Sequence, residues 1–338
     1  MIARQATDAV TLDRLDGQIV RALQISPRAP FRRIAAVLGV SEQTVARRYR
    51  ALLRAGALHI IAIIDPTALG ESDWLVRIRA RPDATLDLGR ALAQRPDIAF
   101  VSVIAGGAEL VCAIRSRSQQ ERERLLIDRL PRSSAVIDLT ASVLLRRFVG
   151  GSASDWLGLA AALTREQEAE LAENGRARRT PNGSETLLPD DHPMIQVLAR
   201  DGRAGISELA RAGGMSEART ARRLAALLDS GVVYLDVDVS ATMLGFPTAA
   251  YLWLSVAPGL LDPTCRALSA HGEAPFVAAI SGHSNVVVSV TCRTLDELYR
   301  YVTERVGALE GVQSMEVAPV LRRLKQAGSL VEADRLVT

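Results

Sequence analysis

Aromatic side chains are scarce in this chain, at 4% of 338 residues. A platform that stacks unpaired bases needs several of them, so single-stranded nucleic acid is a poor fit. Cysteine is nearly absent too: Cys112, Cys265 and Cys292 are odd in number, scattered and without a CxxC pair. That spacing gives no disulfide framework and suits small buried residues of a reducing compartment, so a cytoplasmic protein is expected. The four histidines, His59, His192, His271 and His283, keep no metal-ligand spacing among themselves or with the cysteines, so no metal and no cofactor are expected. No apolar run reaches the roughly 18 residues of a membrane helix. Arg4, Asp8, Asp13 and Asp16 stand where a secretory signal would carry its apolar core.

What remains is an ordinary globular composition, 48% hydrophobic and 23% charged, with a length that allows two to three domains. The net charge of +3 hides a concentration. Between Arg28 and Arg54 seven arginines (28, 32, 33, 47, 48, 50 and 54) face one acid, Glu42, a net +6. Such a patch is the footprint of a polyanion, and double-stranded DNA fits it best.

The patch coincides with a pattern. In Phe31 to Gly56, Ile34, Val37 and Leu38 form an apolar stripe, Gly39 and Val40 break it, and Ser41 can cap a second helix. There Val45, Tyr49, Leu52 and Leu53 share one face, leaving Gln43, Thr44, Arg47, Arg48 and Arg50 on the others. Two short helices around a glycine turn, the second basic, predict a DNA-binding helix-turn-helix. Leu15, Ile19, Val20 and Leu23 supply a preceding helix that Pro27 ends.

The pattern occurs twice. A shift of 175 residues lays Ile34 on Leu209, Gly39 on Gly214, Ser41 on Ser216, Arg48 on Arg223 and Gly56 on Gly231. Asp16 likewise meets Asp191, and Leu69-Gly70 meets Leu244-Gly245. After each basic helix comes a β-rich run, then a strand–helix–strand–strand–helix–strand order over 74–147 and again over 249–324. A second shift, of 176, lays Phe100 on Phe276, Ile104 on Ile280, Gly106 on Gly282 and Val111 on Val287. Duplication of a whole module is the expectation. The fold class is α+β: two copies of a winged or three-helix head followed by a ferredoxin-like βαββαβ domain. The expected units are 1–64 (first head with connecting strand), 65–150 (first sheet domain), 151–186 (linker with a short helix), 187–240 (second head with strand), 241–326 (second sheet domain) and 327–338 (tail). Each sheet has a face its own helices leave uncovered, so the two should pack together, within one chain or swapped between two.

These features resemble the leucine-responsive/AsnC, or feast/famine, transcriptional regulators. Leu15-Asp16, Ser41 before Val45-x-x-Arg48-x-x-x-Leu52, Gly56, the Asp65-to-Gly70 hinge and the Gly106 turn carry the likeness. It implies an N-terminal DNA-binding head and a C-terminal domain that dimerises and senses an amino acid or related metabolite. A homo-oligomer or an intrachain pseudo-dimer of effector domains follows. Members usually carry one copy of each domain, and the acidic residue after the central-strand glycine appears here as Glu109 in the first copy and Asn285 in the second.

The expected DNA contacts are Gln43, Thr44 and Arg47 as base readers and Arg48 and Arg50 on phosphates, with internal support of the head as the alternative for Arg48, and Arg219, Arg222 and Arg223 in the second head. The expected effector residues lie at two turns: Gly106, Gly107 and Glu109, and Ser281, Gly282, His283 and Asn285. Gly107 and Ala108 leave space, whereas His283, Ser284 and Asn285 supply donors and acceptors. No catalytic residue is expected. The alternative is an enzyme resembling the tetrapyrrole decarboxylases, which share this scaffold. It would need histidine and arginine clusters in the sheet domains, yet the first has no histidine and the second only His271 and His283. No nucleophile–base pair or phosphate-cradling glycine motif is present.

Overall fold

The computed structural model describes residues 12–115, 118–150, 156–172 and 184–337. Residues 151–154 of the expected glycine-serine break, and 174–183 of the expected linker, lie outside the described residues.

Helix α1 (Arg14–Ile25) opens with a reciprocal cap: the Asp13 carboxylate accepts from the Asp16 amide, and the Asp16 carboxylate accepts from the Asp13 amide. Helices α2 (Phe31–Leu38) and α3 (Glu42–Arg54) meet at Gly39, whose φ of 67° is left-handed and suits glycine. Ser41 then accepts from the Thr44 amide at 3.1 Å, a cap that contributes about 1 kcal/mol. Ile19, Leu23, Ile34, Val45 and Leu52 close the core beneath. Strand β1 (Leu58–Ile64) leaves this head.

The next unit runs β2 (Trp74–Ala80), α4 (Thr85–Ala93), β3 (Ile98–Ile104), β4 (Glu109–Ile114), α5 (Gln119–Glu123), which widens into a π turn over Arg124–Arg129, and β5 (Val136–Val149). Helix α6 (Arg165–Ala172) follows, then α7 (His192–Leu198), α8 (Ile206–Gly213), α9 (Glu217–Asp229) and β6 (Val233–Val239). Gly214 repeats the left-handed turn at φ 63°, and Ser216 caps α9 through the Arg219 amide. A second βαββαβ unit comprises β7 (Thr248–Val256), α10 (Leu261–Ser269), β8 (Phe276–Ile280), β9 (Val286–Cys292), α11 (Leu295–Arg300) and β10 (Val312–Gln326). The chain closes with β11 (Ser329–Glu332) and β12 (Arg335–Val337). Within the stretch 327–338, expected as a tail, residues 329–337 therefore form a hairpin on β10, and the Leu336 amide donates to the Gly56 carbonyl at 2.8 Å.

The two βαββαβ units are joined by their last strands. Strand β5 pairs with β2 up to Val143 and then, from Leu144, with β8 of the other unit. Strand β10 does the reverse, leaving β7 after Pro319 and taking β3 from Val320. The order β10-β3-β4-β2-β5-β8-β9-β7 is closed by the β7–β10 pairing, so eight strands form a complete ring. Alternation along the strands divides the side chains. Val76, Ile78, Leu110 and Cys112 face α4 and α5, whereas Leu75, Ile104, Val111, Tyr251, Trp253 and Ile280 fill the interior. In the second unit Leu252, Leu254, Cys265 and Leu268 make the matching helix layer. Burial pushes the Cys112 thiol up to about 12, so it packs as an inert neutral group.

Strands β1 and β6 pair antiparallel from Leu58↔Val239 to Ile64↔Val233, a ribbon between the heads and the ring. Helix α6 is not a free linker element. Leu163 and Leu171 enter the first head's core with Trp156, Glu168 accepts from Arg21 Nε at 2.7 Å, and Gln167 Nε2 donates to the Val37 carbonyl at 2.9 Å. Among the described residues no helix is long and apolar enough to cross a membrane.

Candidate nucleic-acid interface and effector cleft

Helix α3 separates its residues sharply. Val45, Tyr49 and Leu52 are buried, while Gln43, Arg47, Arg50 and Arg54 are exposed and Thr44 is half-buried at the leading end. Thr44 Oγ1 lies 2.9 Å from Ser41 Oγ, so its hydroxyl is held near the cap. Arg47 and Arg50 are three residues apart and rise on the solvent side of one helix, the arrangement that can cross a groove and its phosphates.

Arg48 does not belong to that surface. Its Nη1 donates to Asp13 Oδ2 at 2.5 Å and to both Asp16 oxygens at 3.2 Å, tying α3 to the start of α1. The hydrogen bond from the Asp16 amide, with Arg48 beside it, holds the Asp13 carboxyl below its usual range. Arg223 repeats the arrangement in the second head. It donates to both Asp191 oxygens at 2.8 and 2.6 Å and to Glu185 and the Thr186 carbonyl. Arg48 and Arg223, expected on DNA, are therefore head-bracing residues: each has a carboxylate waiting at the start of the first helix. Arg219 and Arg222 are exposed on α9.

Two further members of the basic patch are spent internally. Arg28 donates to the Gly202 and Ala204 carbonyls at 2.6 and 2.8 Å, and Arg33 donates to the Glu170 carbonyl. Desolvation lowers the pKa of Arg28. The first head's net +6 thus overstates what an outside polyanion would meet; Arg32, Arg47, Arg50 and Arg54 remain exposed.

The two hairpin turns converge on one mouth of the strand ring, where a cleft of about 280 Å³ opens. Glu109, Gly282, His283 and Ser284 line it, together with Arg77, Arg79, Asp138, Thr140, Ser142 and Trp253. Arg77 is central. It donates to Glu109 at 2.6 Å and to Glu316 at 2.8 Å, and its guanidinium lies 5.1 Å from the Trp253 ring centre. The hydrogen bond from Arg77 holds the Glu316 carboxyl low. Alternation explains why the mouth is polar: Arg77 and Arg79 take the inward positions on either side of Ile78, which with Val76 faces the helices.

Other expected effector residues have structural tasks. Asn285 is a backbone clamp, its Oδ1 accepting from the Val256 amide and its Nδ2 donating to the Val256 carbonyl, both at 2.8 Å. Ser281 Oγ accepts from the Val143 amide at 3.0 Å and fixes the turn to β5. Gly106 and Gly107 form the β3–β4 turn outside the cleft lining, with Gly107 beside Leu321. Sequence reasoning missed Arg77 and Trp253. The signal was present, since a charged residue between apolar ones on a strand of a covered sheet marks an inward polar position.

The comparisons with known proteins follow this division. Residues 12–53 match the AsnC-type helix-turn-helix domain, and residues 249–330 match the Lrp/AsnC ligand binding domain. The HTH-type transcriptional regulator FL11 of Pyrococcus horikoshii is 32% identical over 119 residues, which are 35% of this chain and 79% of that protein. The regulatory protein AsnC of Escherichia coli is 22% identical over 142 residues, 40% of this chain and 93% of that one. Over nearly the whole chain the fold is similar to the siroheme decarboxylase NirDL, with a TM-score of 0.60, 14% identity and 93% of each chain covered. At that identity the likeness concerns the fold alone. The identity to FL11 over most of its length, with both domain matches in order, shows that the chain belongs to the Lrp/AsnC family.

Proposed function

We propose that the chain is a DNA-binding transcriptional regulator made of two copies of one module, whose DNA affinity responds to a small molecule in the cleft between the hairpin turns. The observation that carries this reading is the exposed edge of α3. Gln43, Arg47 and Arg50 stay at the surface while Arg48, between them, is drawn inward to Asp13 and Asp16. An ordinary solvated helix face has no need of this sorting; a groove-reading helix does, because its base readers must project and its support must not. Arg219 and Arg222 give the second head a weaker version of the same edge. The ligand suited to the cleft is an amino acid or related metabolite, since Glu109 and Asp138 can receive an ammonium group and Arg77, Arg79 and His283 a carboxylate.

Selection of genomic fragments by the full chain, with and without a panel of amino acids, tests this. Enrichment of a defined set of duplex fragments, altered by at least one amino acid, is expected. Fragments recovered without sequence preference, at a strength unchanged in Arg47→Ala/Arg50→Ala, would refute it.

A second reading, an enzyme acting on a tetrapyrrole, has one observation in its favour, the whole-chain likeness to a siroheme decarboxylase. The histidine content of the sheet domains argues against it: the first has none, and of the second's two, His271 is held beside the Tyr301 hydroxyl. Purified protein should show no visible absorbance band after incubation with sirohaem and gel filtration.

A further inference from the structure

The other mouth of the strand ring is covered by the β1–β6 ribbon, and beneath the ribbon lies a separate cavity of about 160 Å³. The chain has only five phenylalanines, five tyrosines and three tryptophans, yet Phe100, Trp156, Tyr251 and Phe276 all line this one space. Leu75 and Leu144 complete a wall that is mostly ring face and hydrocarbon.

Three arginines reach the same space, and two of them have partners. Arg147 pairs with Asp73, and Arg323 donates to Gln326 at 2.6 Å. Arg115 differs: among the described residues its guanidinium makes no hydrogen bond. The acid it approaches is Asp73, whose Oδ1 lies 3.7 Å from Arg115 Nε, beyond hydrogen-bonding distance. That Nε is sealed in the protein, which leaves the two terminal nitrogens as the open end of a side chain only 16% exposed.

A largely buried cation without an acceptor is costly, and folded proteins rarely leave one so. The neighbouring acids do not fill the role. Asp73 is taken by Arg147, and Asp236 is not free. Burial, with Asp236 beside it, raises the Asp238 carboxyl well above the ordinary range and keeps it neutral. Three arginines therefore face at most two negative charges, and the unmatched charge is positive.

We propose that this cavity binds a monocarboxylate with a flat apolar body, an arylcarboxylic acid of the benzoate or phenylacetate class. Its carboxylate takes both terminal nitrogens of Arg115 in the two-point geometry a guanidinium favours, and its ring lies among Phe100, Tyr251 and Phe276. A second charge on the ligand has no counterpart. The unpartnered acid oxygens, Asp73 Oδ1 and Asp238 Oδ2, are sealed from the cavity, so an ammonium group finds no acceptor there. A phosphate monoester would bring nearly two negative charges to one free cation. The site is distinct from the cleft at Arg77 and does not rest on DNA binding.

The test is calorimetric titration of the full chain with benzoate, phenylacetate and 3-phenylpropanoate, each beside its neutral amide. L-Phenylglycine and L-phenylalanine add an ammonium group to the last two acids. At least one acid should bind saturably, with its amide and amino counterparts weaker by about tenfold or more. Ala113→Leu narrows the cavity without removing a charge and should abolish that binding. Arg115→Lys keeps the charge but not the two-point contact and should weaken binding by about tenfold. Thermal melting shows which variants fold, and the same titration on His283→Ala separates the two mouths. No binding by any of the three acids, or an amide or amino counterpart that binds as tightly as its acid, would overturn the assignment without any variant. Binding kept in folded Ala113→Leu, or lost in folded His283→Ala, would overturn it as well.

Discussion

Arg28 and Arg203 exchange places across the two heads. Arg28 donates to the Gly202 and Ala204 carbonyls, and Arg203 donates to the Pro27 and Ala29 carbonyls at 2.6 and 2.9 Å. Each guanidinium thus binds the two carbonyls that flank the other arginine. Arg203 also lies 4.6 Å from the Phe31 ring centre and 5.5 Å from that of Tyr49, which desolvation pushes up to about 12. Replacing either arginine by alanine leaves two carbonyls without charged donors and should cost about 2 kcal/mol in urea unfolding. Hydrogen exchange should quicken at the residues on both sides of the contact. If Arg28→Ala and Arg203→Ala both match the wild type, the clasp does not hold the heads together.

The two heads should differ on DNA. The first exposes Arg32, Arg47, Arg50 and Arg54, and the second exposes Arg211, Arg219 and Arg222. Arg47→Ala/Arg50→Ala should lose more affinity for a selected fragment than Arg219→Ala/Arg222→Ala. Each lost phosphate contact should lower the log–log salt slope by about 0.9, and a lost guanine contact at Arg47 should cost about 1–3 kcal/mol. Filter binding of both variants across a salt series is the measurement. A greater loss in the second variant would reverse the ranking.

Arg48 and Arg223 should report on stability before DNA. Removing Arg223 strands the Asp191 carboxylate, whose side chain is 2% exposed, and should cost about 3–5 kcal/mol. Arg48→Ala should cost about 1 kcal/mol, because Asp13 is half in solvent and screened. The pH dependence follows from the sign of the shift. The Arg223 hydrogen bonds hold the Asp191 carboxyl below its usual range against the opposing effect of burial. Its stabilisation is present above the unfolded carboxylate value of about 3.9 and is lost as the pH falls through the folded value. In Arg223→Ala that acid-side loss should shrink, which urea unfolding between neutral pH and pH 3 would register.

Asp238 should act in the opposite sense. It is 3% exposed, and burial, with Asp236 beside it, raises its carboxyl well above the ordinary range despite Gln326, Ser329 and Arg323. Below the unfolded carboxylate value both states are protonated and the site costs nothing. As the pH climbs toward the folded value, the unfolded chain releases its proton first, so stability falls by about 1.4 kcal/mol per pH unit. Asp238→Asn keeps the shape without the acid. It should melt higher than the wild type at pH 8 and no higher at pH 4; equal melting at both would show that Asp238 is ionised in the folded chain.

The local elements were legible because their causes are local. The Gly39 turn, the Ser41 cap and the alternation of β2 are each written in a few adjacent residues. The 175-residue shift that lays Asp16 on Asp191 also lays Arg48 on Arg223, so the internal ion pairs were within reach of the same comparison. For Arg48 internal support was the alternative to a phosphate contact, and the same carboxylate at the start of the first helix extends it to Arg223. Asn285 was misread for a different reason: its partner, Val256, is 29 residues away on a strand whose register only the folded sheet defines. The ribbon-side cavity was least legible. Asp73, Arg115 and Arg147 stand at strand ends of one unit and Asp238 on the connecting strand of another, and only ring closure brings them together.

That closure also fixes how the molecule responds to dilution. A ring assembled from two separate chains comes apart when protein is scarce, so its ligand sites exist only above some concentration. Here β5 and β10 cross between units that one backbone already connects, and the partner strand is always present at the high local concentration a tether imposes. Both mouths of the ring are therefore formed in a lone molecule. Because the two units never trade places, a residue such as His283 can specialise on one side without a copy appearing on the other.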